Sequence, residues 1–114
     1  MIWALLLQAA TPALPPRNFV DLRTLPGFAF EIGYATPLNF TGAPLPGYEV
    51  PGAWLRKEAA ASLQKILADL LVESKGLLIY DAYRPQRASE AMIRWARATG
   101  HEDWIKDGYI AEHS

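Results

Sequence analysis

The sequence feature that most constrains the fold is a short apolar run that ends at a proline. Residues 77–80 are uniformly apolar, of strand length, and follow Gly76, a combination typical of a buried strand. Pro85 has no amide hydrogen and disfavours the helical conformation for Arg84, so the strand must end there, whereas a helix can begin at Pro85 itself. The sequence therefore predicts a strand over 77–83 and an arginine fixed at a strand-to-helix junction.

Arg84 is the candidate functional group of this junction. A guanidinium is charged at any ordinary pH and offers a planar fork of donors to a carboxylate or an oxyanion. It can therefore serve catalysis, but the spacing fits an ion pair with Asp81 equally well. Because an unpaired arginine beside a buried strand end is costly, we interpret Asp81 first as the partner that holds Arg84 in register.

Three sequence blocks resemble one enzyme family. Residues 81–88, Asp-Ala-Tyr-Arg-Pro-Gln-Arg-Ala, are similar to the Asp-x-Tyr-Arg-Pro-x-x-Ala signature of the D-alanyl-D-alanine dipeptidases, zinc enzymes of the vancomycin-resistance type. Residues 34–42, Tyr-Ala-Thr-Pro-Leu-Asn-Phe-Thr-Gly, resemble that family's Tyr-Ala-Thr-x-x-Asn-Phe-Thr-Gly block, and residues 55–60 resemble its next helix start. The blocks occur in the family's order, and the resemblance covers residues 19–114.

The resemblance implies a metallodipeptidase that hydrolyses a small D-amino-acid dipeptide in cell-wall metabolism. Such an enzyme holds zinc with three side chains, uses a glutamate as base and stabilises the developing oxyanion with an arginine. Arg84 matches that arginine, which implies a catalytic role. Tyr34 and Tyr83 fall in the matching blocks, which implies substrate binding, and the alternative for each is a strand tyrosine with its hydroxyl at the surface.

The family's metal motifs are missing from these residues. Neither Ser-x-His-x-x-Gly-x-Ala-x-Asp nor the later Glu-x-x-His occurs. Residues 108–114 resemble the segment just before the first of these motifs. On that alignment Ser114 is the opening serine of the motif, and His113 is not a ligand. His101 is the other histidine, there is no cysteine, and consecutive residues such as 101–103 seldom converge on one ion, so that cluster is interpreted as a cap or loop. We therefore expect zinc in the full-length family, no metal ligand and no bound zinc in this chain, and a chain that ends before the C-terminal half.

Three functional hypotheses are compatible with the sequence. The first is the N-terminal part of a D-alanyl-D-alanine dipeptidase, inactive by itself. The second is a non-catalytic remnant that binds cell-wall peptide or a partner chain through the Arg84 cleft, and the third is a related peptidoglycan carboxypeptidase. A net charge of -1 gives no electrostatic case for nucleic acid, and the oligomeric state is left open.

The N-terminal residues predict export. Residues 1–10 are apolar, too short to span a bilayer, and suited to the core of a signal peptide, with small residues following at Ala9 and Ala10. No lysine or arginine precedes Arg17, so a buried amphipathic start or a misassigned first methionine is the alternative. We expect a signal peptide and Pro-rich linker over 1–18, a periplasmic or extracytoplasmic location with cytoplasmic as the alternative, and no stable membrane insertion.

Hydrophobic periodicity predicts an α+β fold over residues 19–114, with a small mixed or antiparallel sheet and packed helices. Alternation from Phe28 to Tyr34 predicts a strand, and the prolines and glycines of 39–52 predict a loop that covers a surface. Apolar residues at helical spacing predict helices over 55–74, ended by Gly76, and over 86–99, ended by Gly100.

Overall fold

The computed structural model describes residues 17–50 and 52–112; residues 1–16 of the predicted signal peptide and Pro-rich linker, and the C-terminal His113 and Ser114, lie outside the described residues. Within the described residues there are four short strands and three α-helices, and the predicted α+β class is confirmed. The elements are β1 (Phe19–Asp21), β2 (Phe28–Phe30), β3 (Trp54–Arg56), α1 (Lys57–Val72), β4 (Leu77–Ile79), α2 (Gln86–Ala98) and α3 (Glu102–Lys106). Single 3-10 turns occur at Leu22–Thr24 and Gly33–Ala35.

The strands form two separate two-stranded sheets. β1 pairs antiparallel with β3, with Val20 opposite Leu55 at the centre. β2 pairs in parallel with β4, with Ala29 opposite Leu78, and α1 connects β3 to β4. Within the described part of the chain, no helix is long and apolar enough to cross a membrane.

The predicted strand over 28–34 is shorter than the alternation indicated. Regular pairing ends at Phe30, followed by one further bond from the Glu31 amide to the Ile79 carbonyl at 2.9 Å. The chain then turns, because the Leu38 carbonyl approaches so closely that a Cβ on Gly33 would lie 2.9 Å from its oxygen. Tyr34 consequently belongs to a 3-10 turn and not to a strand.

The predicted start of the first helix and the predicted end of the 77–83 strand were also wrong. In both cases main-chain hydrogen bonds set the boundary, and hydrophobic periodicity cannot predict such bonds. Leu55 lies in β3 and not in the helix, because residues 54–56 pair with β1, and α1 begins at Lys57. The strand predicted over 77–83 ends at Ile79, because the Tyr83 amide instead donates to the Trp54 carbonyl at 2.7 Å.

The helix ends were predicted unequally well. α2 ends at Ala98 with Gly100 at a positive φ of 77°, in agreement with the prediction. α1 ends at Val72, and the left-handed residue that follows is Ser74 at φ 57°, so Gly76 is not the terminator. The amides of Glu73 and Lys75 bond the Leu70 carbonyl and close the last turn.

Buried side chains form two clusters. The sheet-side core is apolar and consists of Leu22, Ala53 and Ala60, with β-strand and α1 side chains packed around it. The arginine-side core lies under α2 and consists of Leu45, Tyr48, Ala88, Met92, Ala96 and Ile110. Within α1 the buried positions are Ala60 and Leu67, whereas the neighbouring Ala59 is exposed.

Candidate functional site

Arg84 lies on a segment that connects the two sheets. The preceding strand β4 is bonded to β2, and two residues after Asp81 the Tyr83 amide bonds the β3 carbonyl of Trp54. Pro85 is the residue before α2 and has extended backbone angles, φ -60° and ψ 144°, so the helix begins at Gln86 and not at Pro85 itself. Arg84 is therefore held between main-chain bonds on one side and a helix start on the other.

Asp81 and Arg84 form the predicted ion pair. The Asp81 Oδ2 accepts from Arg84 Nη2 at 2.9 Å and from Nε at 3.3 Å. The side chains are 20% and 39% exposed, so the pair is half-buried and its arginine still reaches solvent. This geometry uses one edge of the guanidinium and directs Nη1 towards the Met92 sulfur, at 4.0 Å.

The second oxygen of Asp81 is also occupied. Asp81 Oδ1 accepts from the Tyr48 hydroxyl at 2.7 Å and from the Ala82 amide at 3.0 Å. Burial, followed by the hydrogen bond to and the charge of Asp81, raises the pKa of Tyr48 well above its usual range, so its hydroxyl stays protonated. Burial acts to lower the pKa of Arg84, but the hydrogen bond and charge of Asp81 outweigh it and the pKa is raised.

The loop that carries Tyr48 is fastened to the junction at two more points. Gly47 has φ 98°, and a Cβ there would lie 2.5 Å from Cγ of Pro85, so a glycine is required for this approach. Glu49 accepts from the Gly47 amide at 2.9 Å and from Arg87 Nη2 at 3.3 Å. The loop is thus attached to the start of α2 at Pro85 and at Arg87.

Tyr34 contacts Arg84. The Arg84 guanidinium carbon lies 5.2 Å from the centroid of the Tyr34 ring, within the range of a cation–π interaction. The ring also packs against Phe40 and Tyr48, with centroid distances of 6.4 and 5.8 Å. Its predicted substrate-binding role stays a prediction, but it lies in the same cavity wall as Arg84.

Arg84, Asp81 and Tyr34 line a cavity of about 510 Å³. Its remaining walls come from Glu31, Ile32, Gly33, Thr36, Leu38, Asn39, Phe40 and Tyr80. A smaller cavity of about 150 Å³ shares Tyr34, Phe40 and Arg84 with it and reaches towards Met92 and Ile110. The guanidinium therefore lies where the two cavities adjoin, in a volume suited to a small ligand.

The structure does not bring Tyr83 into either of these cavities. Its ring packs edge-on against Phe19, with centroids 5.2 Å apart, and its exposed fraction is 37%. Its predicted substrate-binding role stays a prediction without geometric support here. The residue that sequence reasoning missed is Tyr48, whose sole signal was an aromatic residue inside a loop rich in proline and glycine.

The described residues do not fit a zinc site. No group of three or more His, Asp or Glu side chains within 17–50 and 52–112 is placed to hold a metal ion. Both oxygens of Asp81 already accept from other groups, and the His101 ring packs against both Trp95 and Trp104, at centroid distances of 5.2 and 4.3 Å. His101 precedes α3, in keeping with its interpretation as a loop residue. The expectation that this chain binds no zinc stays a prediction.

Comparisons with known proteins all lead to one kind of peptidase. Residues 16–114 match the D-ala-D-ala dipeptidase family, which is a family of metallopeptidases. The chain is 39% identical over 83 residues to the D-alanyl-D-alanine dipeptidase of Enterococcus faecium, covering 73% of this chain and 41% of that protein. It is 36% identical over 91 residues to the Enterococcus faecalis protein of the same name, covering 80% and 44%, and 38% identical over 112 residues to that of Streptomyces coelicolor, covering 84% and 54%. The chain thus spans about half the length of these curated relatives.

Proposed function

This chain belongs to the D-ala-D-ala dipeptidase family, as its sequence blocks predicted, and we propose that it forms the arginine-bearing wall of an active site that hydrolyses the D-alanyl-D-alanine dipeptide. In this proposal the Arg84 guanidinium donates hydrogen bonds to the oxygen of the scissile carbonyl as negative charge develops on it. Tyr34 forms the adjoining surface of the cleft.

One observation carries the proposal, namely a guanidinium whose Nε and Nη2 edge is fixed by a carboxylate while Nη1 has a weak sulfur acceptor, Met92, at 4.0 Å. Asp81 holds the Nε and Nη2 edge, and the arginine borders a cavity of about 510 Å³. A donor held in place before the reaction stabilises developing charge without reorganising, and removal of one such donor typically costs about 10²–10³ in kcat. Asp81 leaves the arginine charged and oriented, which is the arrangement this role requires.

The described residues provide no ligand set for zinc, and the roles proposed for them involve no metal ion. Water attack on the carbonyl carbon forms a C–O bond and moves the π electrons of the C=O bond onto oxygen; the attacking water loses a proton, and collapse of the oxyanion breaks the C–N bond as the leaving nitrogen takes up a proton. Arg84 acts on the oxyanion. No described residue is assigned as the base that activates the water.

The test compares Arg84→Ala with Arg84→Lys in the product of the whole reading frame. We expect Arg84→Ala to lower kcat by about 10²–10³, and Arg84→Lys, which keeps the charge without the fork, to lose less. Hydrolysis of D-alanyl-D-alanine and the thermal midpoint are measured together. Arg94→Ala, which removes an exposed arginine of α2, is the matched control.

Activity of Arg84→Ala within about threefold of the parent protein, with an unchanged melt, would make Arg84 a structural residue and refute the proposal. A longer peptidoglycan stem peptide belongs in the same assay, because preferred cleavage of that peptide would assign a carboxypeptidase.

A second candidate function is binding without hydrolysis. It is favoured by the cavity of about 510 Å³ beside Arg84, which has the size and a fixed cation to take a small anionic ligand. Calorimetric binding of D-alanyl-D-alanine that is lost in Arg84→Ala, combined with no hydrolysis by the parent protein, would select this candidate over the dipeptidase.

A further inference from the structure

The Tyr48 hydroxyl is a polar group that the proposed reaction does not use. Tyr48 is 8% exposed and belongs to the arginine-side core, and its sequence distance from Asp81 is 33 residues. It lines neither of the two cavities that Arg84 borders. A direct contact between Tyr48 and a ligand in those cavities is therefore not the role that its geometry supports.

The hydroxyl instead fixes the rotation of the Asp81 carboxylate. Oδ1 is held by the Tyr48 hydroxyl at 2.7 Å and the Ala82 amide at 3.0 Å, which leaves Oδ2 to face Arg84. Oδ2 then takes the Nε and Nη2 edge of the guanidinium. Without the hydroxyl, Oδ1 keeps only the bond to the adjacent amide, and the carboxylate can turn about its Cβ–Cγ bond.

The loop contacts make Tyr48 a firm anchor for this carboxylate. The close approach of Gly47 to Pro85 and the bond between Glu49 and Arg87 flank Tyr48 on either side. Both contacts attach the loop to the helix start that follows Arg84. Burial and the charge of Asp81 raise the pKa of Tyr48, which keeps the hydroxyl a donor across the pH range of an assay.

We infer that Tyr48 is a positioning residue of this site, which sets the direction of the Arg84 guanidinium through Asp81. The expected effect of Tyr48 on kcat rests on the function proposed above. The expected effect of Tyr48 on the orientation of Arg84 does not depend on that function. The buried hydroxyl orients the carboxylate, and the carboxylate orients the guanidinium. The nitrogens of Arg84 that Asp81 does not bind therefore point in one fixed direction.

The kinetic test is a double-mutant cycle in the product of the whole reading frame. Tyr48→Phe keeps the buried ring and removes the donor, and we expect it to lower kcat about tenfold with a smaller change in KM. In an Arg84→Ala background we expect the same substitution to change kcat by less than about twofold, because the residue it positions is gone. Equal effects in both backgrounds would overturn the inference.

A stability control separates positioning from packing. Leu22→Val shortens a fully buried side chain in the sheet-side core, away from Tyr48, and we expect it to lower the thermal midpoint without lowering kcat. 4-Aminophenylalanine in place of Tyr48 retains an N–H donor at the same position, and we expect it to recover most of the lost kcat. Failure of that rescue, with the protein folded, would count against the inference.

A measurement that needs no catalysis tests the same inference independently. In ¹⁵N-labelled protein we expect the Arg84 Nε–H to exchange with solvent measurably faster in Tyr48→Phe than in the parent protein, because its acceptor is no longer fixed. An unchanged Nε–H signal would overturn the positioning role. If the parent protein does not hydrolyse D-alanyl-D-alanine, the proposed function fails, and this exchange measurement still decides the inference.

Discussion

The two cores of the molecule are built from different kinds of interaction. The sheet-side core is apolar throughout, with the fully buried Leu22 beside Ala53 and Ala60. The arginine-side core contains Tyr48, whose hydroxyl leaves the core to bond Asp81 and, through it, Arg84. One core is therefore held by burial of apolar surface and the other by burial combined with directed polar contacts.

This difference separates stability from function within one small chain. Apolar packing is non-directional and fixes no single atom, so the sheet-side core can support the fold without orienting a reactive group. A hydrogen-bonded chain from Tyr48 to Arg84 fixes a direction, which is what a binding cation requires. Substitutions in the two cores should consequently act on different measurements.

The largest expected effect on stability is that of Leu22→Ala. Leu22 is 0% exposed, and removal of a buried leucine side chain leaves a cavity that costs about 2–5 kcal/mol in the free energy of unfolding. We expect kcat to remain unchanged at temperatures where the variant is folded. Denaturant unfolding and dipeptide hydrolysis on the same preparation provide the measurement.

The matched control for this substitution is Leu71→Ala in α1. Leu71 is 57% exposed, and we expect its truncation to cost less than about 1 kcal/mol. If Leu22→Ala lowered kcat as strongly as a change at Arg84, the proposed separation between the two cores would be wrong.

The sheet-side core also shows how much of the fold the sequence could predict. The helical repeat predicted α1, and the apolar run after Gly76 predicted β4, since both follow from hydrophobic periodicity. The predicted start at Leu55 was wrong because that residue also fits a helical repeat, although it pairs with Val20 of β1. Long-range pairing of three-residue strands leaves no periodic pattern for a sequence to display.

Asp81→Asn is expected to have the next largest effect. Asp81 accepts four hydrogen bonds, from Tyr48, Ala82 and two nitrogens of Arg84, and an amide group must present its NH2 to one of these pairs of donors. The loss of acceptors at a half-buried site should cost about 1–3 kcal/mol in the free energy of unfolding. Unlike Leu22→Ala, we expect it also to lower kcat, because Arg84 loses its fixed partner.

The measurement for Asp81→Asn is again unfolding together with hydrolysis, and Asp69→Asn on α1 serves as the control for removing an exposed carboxylate. An Asp81→Asn protein with parental kcat would show that the ion pair supports the fold alone and would remove the contrast between the cores.

The candidate site could be predicted in part. The ion pair of Asp81 and Arg84 follows from spacing and from the proline that ends the strand, because both residues are local to one junction. Tyr48 could not be predicted, since the loop over 39–50 has no periodicity and its contact with Asp81 spans 33 residues. Directed contacts between a loop and a distant junction depend on the completed fold.

The smallest expected effect belongs to the outer ion pair of Glu49 and Arg87. The backbone hydrogen bonds of Glu49 itself and of Gly47 are the main causes that lower the pKa of Glu49, and the charge of Arg87 contributes less. The side chains are 50% and 45% exposed, so solvent screens the pair and we expect Glu49→Gln to cost less than about 1 kcal/mol.

A carboxyl with a lowered folded-state pKa stabilises the fold above its unfolded pKa and loses that contribution as pH falls through the folded value. The difference in unfolding free energy between the parent protein and Glu49→Gln should therefore be full at pH 7 and shrink as pH falls below the ordinary glutamate pKa of 4.5. Because the backbone amides dominate, Arg87→Gln should cost less than Glu49→Gln in urea unfolding at pH 7. Equal costs for the two variants would mean that the ion pair itself fastens the loop, and the outer contact would then resemble the inner pair of Asp81 and Arg84.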